Sequence, residues 1–251
     1  MDRPTPATQK LIDALIAFGD LKVWSVLVTI FGDMAPGEGE SLPGPFLSGL
    51  TSRLGIRTEA QRVALHRLRK DGWIKVQRDG RVSLYGLSDL ARAETQSVQS
   101  RVFDAQIPRP ERCYIVLADP AGSSAKIDGM EIGGGAVLTI EPPKAPGLLV
   151  SELAVEDVPG WARDKAVPPG LQEDYERLLS LLADPLEVAG LTEPDRLALR
   201  VLVLHRWRRL VLSHNRTAAH LMGADWTGNT CRARVHAVLD ALPRPVLPIA
   251  Y

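Results

Sequence analysis

The sequence predicts a multidomain α+β protein. Apolar residues recur at helical spacing near both ends of the 251-residue chain, whereas its middle holds short apolar runs bounded by turn residues. The composition, with 45% hydrophobic and 24% charged residues, is typical of a soluble globular protein. No apolar run approaches the roughly twenty residues that cross a membrane, and the polar N-terminus does not resemble a signal peptide. We therefore expect a cytoplasmic protein without a membrane partner.

Three helices are predicted in the N-terminal region. Residues 8–34 form two of them, because helical spacing of apolar residues is interrupted at Gly19-Asp20 and then resumes. Residues 36–45, PGEGESLPGP, hold three prolines and three glycines and predict a loop. Residues 46–54 then suit a short helix, which Gly55 ends.

A further helix is predicted at about residues 58–71. The segment TEAQ fits a capping box, in which Thr58 caps the helix while Gln61 folds back onto the Thr58 N–H. Four residues at helical spacing are expected on its apolar side: Ala60, Val63, Ala64 and Leu68. Asp71-Gly72 ends the helix.

The region around this helix is basic, although the formal net charge of the chain is zero. Residues 53–81 hold nine basic and three acidic residues, whereas the rest of the chain holds 21 basic and 27 acidic residues. At about 100° per residue, Arg62, His66 and Arg69 point away from the apolar side. A basic segment on an otherwise acidic chain attracts phosphate to one face while the remainder avoids indiscriminate binding.

A β-hairpin is predicted directly after the basic helix. Residues 73–77 and 82–87 have strand character, and Asp79-Gly80 is a strong two-residue hairpin signal. Helices followed by a tight basic hairpin are the order of a winged helix-turn-helix, whose last helix enters the major groove of DNA. The expected DNA contacts are Arg57, Thr58, Arg62, His66, Arg69, Arg78 and Arg81.

Two interpretations of these residues stay open. A charged helix face is often only solvated, and the sequence does not separate base contacts from phosphate contacts. Arg67 lies closer to the predicted apolar side, which favours an anchoring role within the fold over a base contact.

The rest of the chain predicts a linker and two more domains after the N-terminal domain at residues 1–90. Residues 91–107 continue as a helical linker. Residues 108–165 hold short apolar runs and little helix, which indicates a small α+β middle domain. Residues 166–251 show helical periodicity again and predict an α-helical C-terminal domain.

The cysteines and histidines predict neither a metal site nor a cofactor. Cys113 and Cys231 lie far apart and lack any metal-ligand spacing, as expected of reduced thiols in a cytoplasmic protein. The five histidines have no carboxylate or cysteine partners at ligand spacing.

Two separate segments resemble the phenylacetate-operon repressor family, the PaaX-like regulators. The first is RVALHRLRKDGWI from Arg62, followed by RDGR from Arg78 and YGLS from Tyr85, which is similar to the winged helix of the family. The second is LHRWRRLVL from Leu204, followed by ADWTG from Ala224, which looks like the C-terminal domain of the family.

The resemblance implies a non-enzymatic cytoplasmic homodimer that binds double-stranded operator DNA. Such a protein represses genes for degrading phenylacetate or related aromatic acids, and its effector is phenylacetyl-CoA or another acyl-CoA. The resemblance makes Arg62 and Arg67 recognition-helix arginines, and Arg78 and Arg81 the basic wing. It also implies a ferredoxin-like middle domain, although residues 121–135 are rich in glycine and lack the long basic helix of the family.

Arg206 and Arg209 form a second basic pair, which helical spacing places close together on one face. This pair could bind the phosphates of a CoA-like effector, contact DNA or form surface ion pairs. Two other functions also stay open. One is a Cas2-like metal-dependent nuclease, in which Asp119 would end the first strand of the middle domain, and the other is a winged-helix module that binds protein.

Overall fold

The computed structural model describes residues 6–119, 127–184, 186 and 188–249. It contains helices and two small antiparallel sheets, which confirms the α+β class. The chain divides into two compact units, each built from segments that are distant in sequence. The first unit combines Met1–Phe103, Leu178–Arg209 and Arg234–Tyr251, and the second combines Asp104–Arg177 and Leu210–Ala233.

The first unit begins with helices and one short strand. In chain order these are α1 (Pro6–Ala17), α2 (Val23–Met34), β1 (Leu42–Pro43), α3 (Gly44–Arg53) and α4 (Thr58–Lys70). The break between α1 and α2 falls at Gly19-Asp20, as predicted. The strand β1 was not predicted, because two residues inside a loop rich in proline and glycine leave no periodic pattern.

The predicted hairpin follows α4. It consists of β2 (Ile74–Asp79) and β3 (Val82–Leu87), and β1 pairs with the other side of β3. Asp79 pairs with Val82, so the two loop residues are Gly80 and Arg81, one position later than the sequence signal suggested. Gly80 has a φ of 56°, the positive value required at the first loop position of a type II′ turn. Arg81 therefore lies at the tip of the hairpin.

A glycine ends each of α3 and α4. After α4, Gly72 has a φ of 73° and donates its N–H to the Arg69 carbonyl at 3.1 Å, while the Trp73 N–H donates to the Leu68 carbonyl at 2.8 Å. This pair of bonds is a Schellman motif. The motif favours glycine at the position of Gly72, because the backbone there adopts the left-handed conformation. Gly55 has the same role after α3, so each helix ends where the sequence predicts.

The remaining elements complete both units. The helices are α5 (Asp89–Ser97), α6 (Gln99–Phe103), α7 (Gly160–Asp164), α8 (Leu171–Leu181), α9 (Glu193–Leu212), α10 (Arg216–Leu221) and α11 (Thr227–Ala241). The strands are β4 (Arg112–Ala118), β5 (Met130–Gly133), β6 (Ala136–Thr139) and β7 (Leu148–Ala154).

A buried ion pair joins α2 to α9 in the core of the first unit. Arg200 donates from Nε and Nη2 to the two carboxylate oxygens of Asp33 at 2.6 and 2.8 Å. Its Nη1 also donates to the carbonyls of Leu239 and Leu242, at 2.9 and 2.6 Å. The side chain of Asp33 is fully buried, and Arg244 donates to it from the protein surface at 3.0 Å. Both charges are thus desolvated and fully engaged.

His205 is a fully buried histidine on α9. The Thr29 hydroxyl donates to the Ser25 carbonyl at 3.0 Å and lies 3.1 Å from His205 Nδ1. Because the Thr29 proton is already donated, we assign the ring proton to Nδ1, which leaves Nε2 as the acceptor. Burial, with the nearby Arg206 adding to it, lowers the pKa of His205 to about 3.

The lowered pKa predicts that acid destabilises the first unit through His205. Between pH 6.5 and 3 the unfolded chain binds a proton at this ring and the folded chain does not, so stability falls as pH falls. At pH 5 we expect this group to lower the free energy of unfolding by about 2 kcal/mol. His205→Gln has no titrating ring at this position and should not show this loss. Urea unfolding of both proteins across pH measures the difference. An imidazole NMR titration of the folded protein with a midpoint near 6.5 for this ring would contradict the prediction.

The second unit contains a four-stranded antiparallel sheet in the order β5-β6-β4-β7. Between its strands, the described residues 127–129 and 140–147 form no helix, and residues 120–126 of the glycine-rich segment lie outside the described part of the chain. The sheet instead packs against elements that follow it in sequence. Its apolar cluster includes Cys113, Leu138, Ala162 of α7 and Leu221 of α10.

Trp226 of the ADWTG segment is a packing residue. It is buried beside Tyr175, with ring centroids 5.1 Å apart in an edge-to-face arrangement. The Tyr175 hydroxyl lies 3.0 Å from His214 Nε2. A Cβ atom at Gly228 would lie 2.5 Å from the Trp226 ring, which explains the glycine that follows the tryptophan.

Candidate nucleic-acid interface

The helix α4 has a buried side that differs from the predicted one. Its buried residues are Gln61, Ala64, Leu65 and Leu68, which follow the i, i+3, i+4, i+7 spacing of an amphipathic helix. The placement of Val63 on the apolar side is wrong, because 68% of this residue is exposed. The buried stripe is rotated by about half a turn from Val63, and a glutamine fills its first position.

The predicted capping box is also wrong. Arg57 is the N-cap residue and makes no side-chain capping bond, and Thr58 is the first residue of the helix. Gln61 instead points inward, where its side-chain amide lies 3.1 Å from the buried Thr51 hydroxyl, which also donates to the Leu47 carbonyl at 2.8 Å. This contact between α3 and α4 satisfies a polar group that would otherwise be costly to bury. Burial of Gln61 therefore outweighs capping.

All the residues expected to contact DNA are exposed. On α4 these are Thr58, Arg62, His66 and Arg69, and Arg57 is the N-cap residue of that helix. Arg78 and Arg81 belong to the hairpin. We call this set the basic surface. Within the described part of the chain, Arg57, Arg62 and Arg69 have no carboxylate partner within ion-pair distance. Their guanidinium groups are thus available to an anionic ligand.

Three other basic residues between residues 53 and 81 lie within ion-pair distance of carboxylates: Arg53, Arg67 and Lys75. Arg53 pairs with the buried Asp195, and Lys75 pairs with Asp89 at 2.8 Å. The Lys75 ammonium, with help from Arg92, lowers the pKa of the Asp89 carboxyl. These ion pairs leave α4 and the tip of the hairpin as the parts of the basic segment with available positive charge.

Arg67 does not anchor α4 to its neighbours. Its side chain is 71% exposed, and its Nε lies 3.6 Å from the Asp71 carboxylate one turn later on the same helix. The expected anchoring role is therefore wrong, because Arg67 follows the rotated face of α4 toward solvent. It lies beside the basic surface rather than beneath it.

Arg206 and Arg209 bind the C-terminal end of α1 and the turn after it. The buried Arg206 donates to the carbonyls of Leu15, Ile16 and Gly19 at 2.8, 2.9 and 2.7 Å. Arg209 donates to the Asp20 carbonyl at 2.8 Å. Basic side chains at this position satisfy the last carbonyls of a helix and complement its dipole. The geometry thus gives this pair a structural role.

Asp119 is exposed and follows β4, where the nuclease interpretation places it. Across the described residues, no three histidine, cysteine, aspartate or glutamate side chains are grouped so that they could hold a metal ion. None of the helices that the structure describes combines the length and the apolar character needed to cross a bilayer.

The comparisons with known proteins include a family match to the segment that contains the basic surface. The model of the PaaX-like protein family matches residues 22–91, the segment that contains α2–α4 and the hairpin. The transcriptional repressor PaaX of Escherichia coli (strain K12) is 25% identical over 244 residues, covering 83% of this chain and 76% of that protein.

A solved structure shares the fold. It is the uncharacterized protein Rv0674 from Mycobacterium tuberculosis, which matches 89% of this chain and 96% of its own with a TM-score of 0.56 and 19% sequence identity. This likeness concerns the fold alone. The family match over residues 22–91 and the similarity along most of the chain together show that this protein is similar to the PaaX-like transcriptional regulators.

Proposed function

We propose that this chain is a transcriptional repressor that binds double-stranded DNA through the basic surface. The observation that carries the proposal is that Arg62 and Arg69 of α4 are exposed and, among the described residues, have no carboxylate within ion-pair distance, inside the segment that matches the PaaX-like family. In this proposal α2–α4, β1 and the hairpin form a winged helix-turn-helix, and α4 is its recognition helix.

The two parts of the basic surface have different roles. Arg62 lies in the first half of α4, the part of a recognition helix that contacts base edges, and a guanidinium binds guanine through O6 and N7. Arg81 lies at the hairpin tip, from which it contacts the sugar-phosphate backbone. Arg62 therefore contributes selectivity and Arg81 contributes position and salt-dependent affinity.

Arg62→Ala and Arg81→Ala separate these roles. We expect Arg62→Ala to weaken binding to selected DNA by about 10- to 100-fold and to reduce sequence preference. Arg81→Ala should weaken binding to all sequences alike and reduce the slope of log affinity against log salt by about 1 per contact. Fluorescence anisotropy on DNA from the upstream region of the gene, and on a shuffled sequence, measures both effects.

The control for charge loss is Lys10→Ala. Lys10 is exposed on α1, outside the basic surface, so its loss changes net charge by the same amount without removing a proposed contact. Its affinity and salt slope should match those of the wild type. If Arg62→Ala and Lys10→Ala behave alike, α4 is not the DNA-reading element, and the interpretation as a protein-binding module gains support.

The family resemblance supplies the remaining parts of the proposal. They are a homodimer on a roughly palindromic operator, regulation of genes for phenylacetate or related aromatic acids, and release by an acyl-CoA such as phenylacetyl-CoA. A dimer predicts half-sites separated by one or two helical turns. No site is assigned to the effector, because Arg206 and Arg209 are bound to carbonyls of the first unit.

A further inference from the structure

The exposed position of Val63 is the one feature of α4 that neither packing nor charge explains. The residue is 68% exposed, while the core of the helix interface is formed by Ala64, Leu65 and Leu68. Valine is also a poorer helix former than alanine or the polar residues around it, because its branched side chain is restricted in a helix. The fold therefore gains nothing evident from valine at this position.

A single exposed valine is common on protein surfaces, so its neighbours decide its meaning. Residues three and four positions apart are neighbours on a helix, which places His66 and Arg67 beside Val63. Arg62 precedes it directly, and all three are exposed. Val63 is thus an apolar group on an exposed part of α4 that also carries Arg62, His66 and Arg67, with Ala60 and the acidic Glu59 one turn before it.

Its position along the helix is also informative. α4 begins at Thr58, so Val63 lies in the first half of the helix, close to Arg62. In helix-turn-helix proteins this half of the recognition helix reaches the base edges of the major groove. The one apolar group that base pairs present there is the C5 methyl of thymine, which makes contacts with apolar side chains.

We infer that Val63 contacts the C5 methyl group of a thymine and makes the protein select that base. The inference rests on the proposed function, because it requires α4 to lie in the major groove. It assigns to Val63 an apolar contact that complements the hydrogen bonds of Arg62. Since cytosine and uracil lack the methyl group, Val63 discriminates against both at this position of the operator.

The test replaces each thymine of the bound DNA by deoxyuridine, one at a time, which removes only the methyl group. At one thymine per half-site we expect wild-type affinity to fall about fourfold, the effect of one buried methyl group. Val63→Ala should bind the thymine DNA about fourfold more weakly than the wild type and should lose no further affinity with deoxyuridine. Val63→Thr, which keeps one methyl group, serves as a second variant.

Val246→Ala is the matched control, because Val246 is an exposed valine outside the basic surface. It should keep the wild-type response to deoxyuridine. The inference is overturned if no deoxyuridine position weakens the wild type, or if Val63→Ala keeps the full response. A change of oligomeric state in Val63→Ala, with methyl sensitivity intact, would also overturn it and assign Val63 to a protein contact.

The two levels of the proposal fail in distinguishable ways. Selective binding that depends on Arg62 but ignores thymine methyl groups leaves the DNA-reading function standing and removes the role of Val63. Equal, weak binding of wild type and Arg62→Ala to any DNA removes both.

Discussion

Replacing Asp33 by alanine is expected to lower the free energy of unfolding by about 3–5 kcal/mol. The substitution leaves the Arg200 guanidinium, whose side chain is only 6% exposed, without its carboxylate partner in the core of the first unit. Breaking a buried ion pair by removing one partner costs this much because the remaining charge stays desolvated. Urea unfolding followed by circular dichroism measures the loss.

Asp240→Ala is the control for this substitution. Asp240 is exposed on α11 in the same unit, and its replacement should change the free energy of unfolding by less than about 0.5 kcal/mol. The double variant with Asp33→Ala and Arg200→Met should recover part of the loss, because it removes the uncompensated charge. About 1 kcal/mol is the typical effect of a single substitution on the free energy of unfolding. If Asp33→Ala lowers this free energy by no more than that, Arg200 is not held in the core as described.

Replacing Arg206 by alanine is expected to cost about 3 kcal/mol or more. A hydrogen bond to a charged group contributes about 1.5–3 kcal/mol to the free energy of unfolding. The total is smaller than the sum of the single bonds, because the bonds share one side chain and are not additive. The substitution leaves several carbonyls at the end of α1 without their donor, including those of Leu15 and Gly19. The same urea unfolding measurement applies.

Two further variants distinguish a structural role from ligand binding. Arg206→Lys keeps the charge but cannot span the carbonyls with a planar fork, so it should recover only part of the stability. Arg209→Ala loses one exposed hydrogen bond and should cost less than about 1 kcal/mol. If Arg206→Ala is as stable as the wild type but responds differently to an acyl-CoA, the pair belongs to an effector site instead.

The C-terminal ends of α3 and α4 were predictable because short-range chemistry sets them. Gly55 and Gly72 each occupy the left-handed position that ends a helix, and Gly80 occupies the turn of the hairpin. Such signals depend on a few adjacent residues and act before any tertiary contact forms. The grouping of Arg62, His66 and Arg69 on one side of α4 was also predictable, because helical periodicity alone decides which residues share a face.

The rotation of α4 was not predictable from apolar residues alone. Gln61 occupies the first position of the buried stripe, where a search for apolar spacing selects Val63 instead. Its burial depends on Thr51 of α3, a partner that only the packed pair of helices supplies. Shifting the stripe by one residue to include Gln61 gives the correct spacing, with Ala64, Leu65 and Leu68 in register.

Arg200 and Arg206 show the same limit in the core. Each is an arginine on a long helix, which in sequence suggests a solvated or ligand-binding face. Each is instead buried, because Asp33 and the carbonyls at the C-terminal end of α1 come from segments more than 160 residues away. The first unit likewise combines the N-terminal segment with Leu178–Arg209 and Arg234–Tyr251. No short sequence pattern indicates that these distant segments pack together.

Whether α4 reads DNA sequence is tested most directly by the ratio of two dissociation constants, one for upstream DNA and one for shuffled DNA of the same composition. This ratio is measured for the wild type and for Arg62→Ala at one salt concentration. We expect a wild-type preference for the upstream DNA that falls by about 10-fold or more in Arg62→Ala. Equal ratios in the two proteins would contradict this expectation, because α4 would then contribute no sequence information.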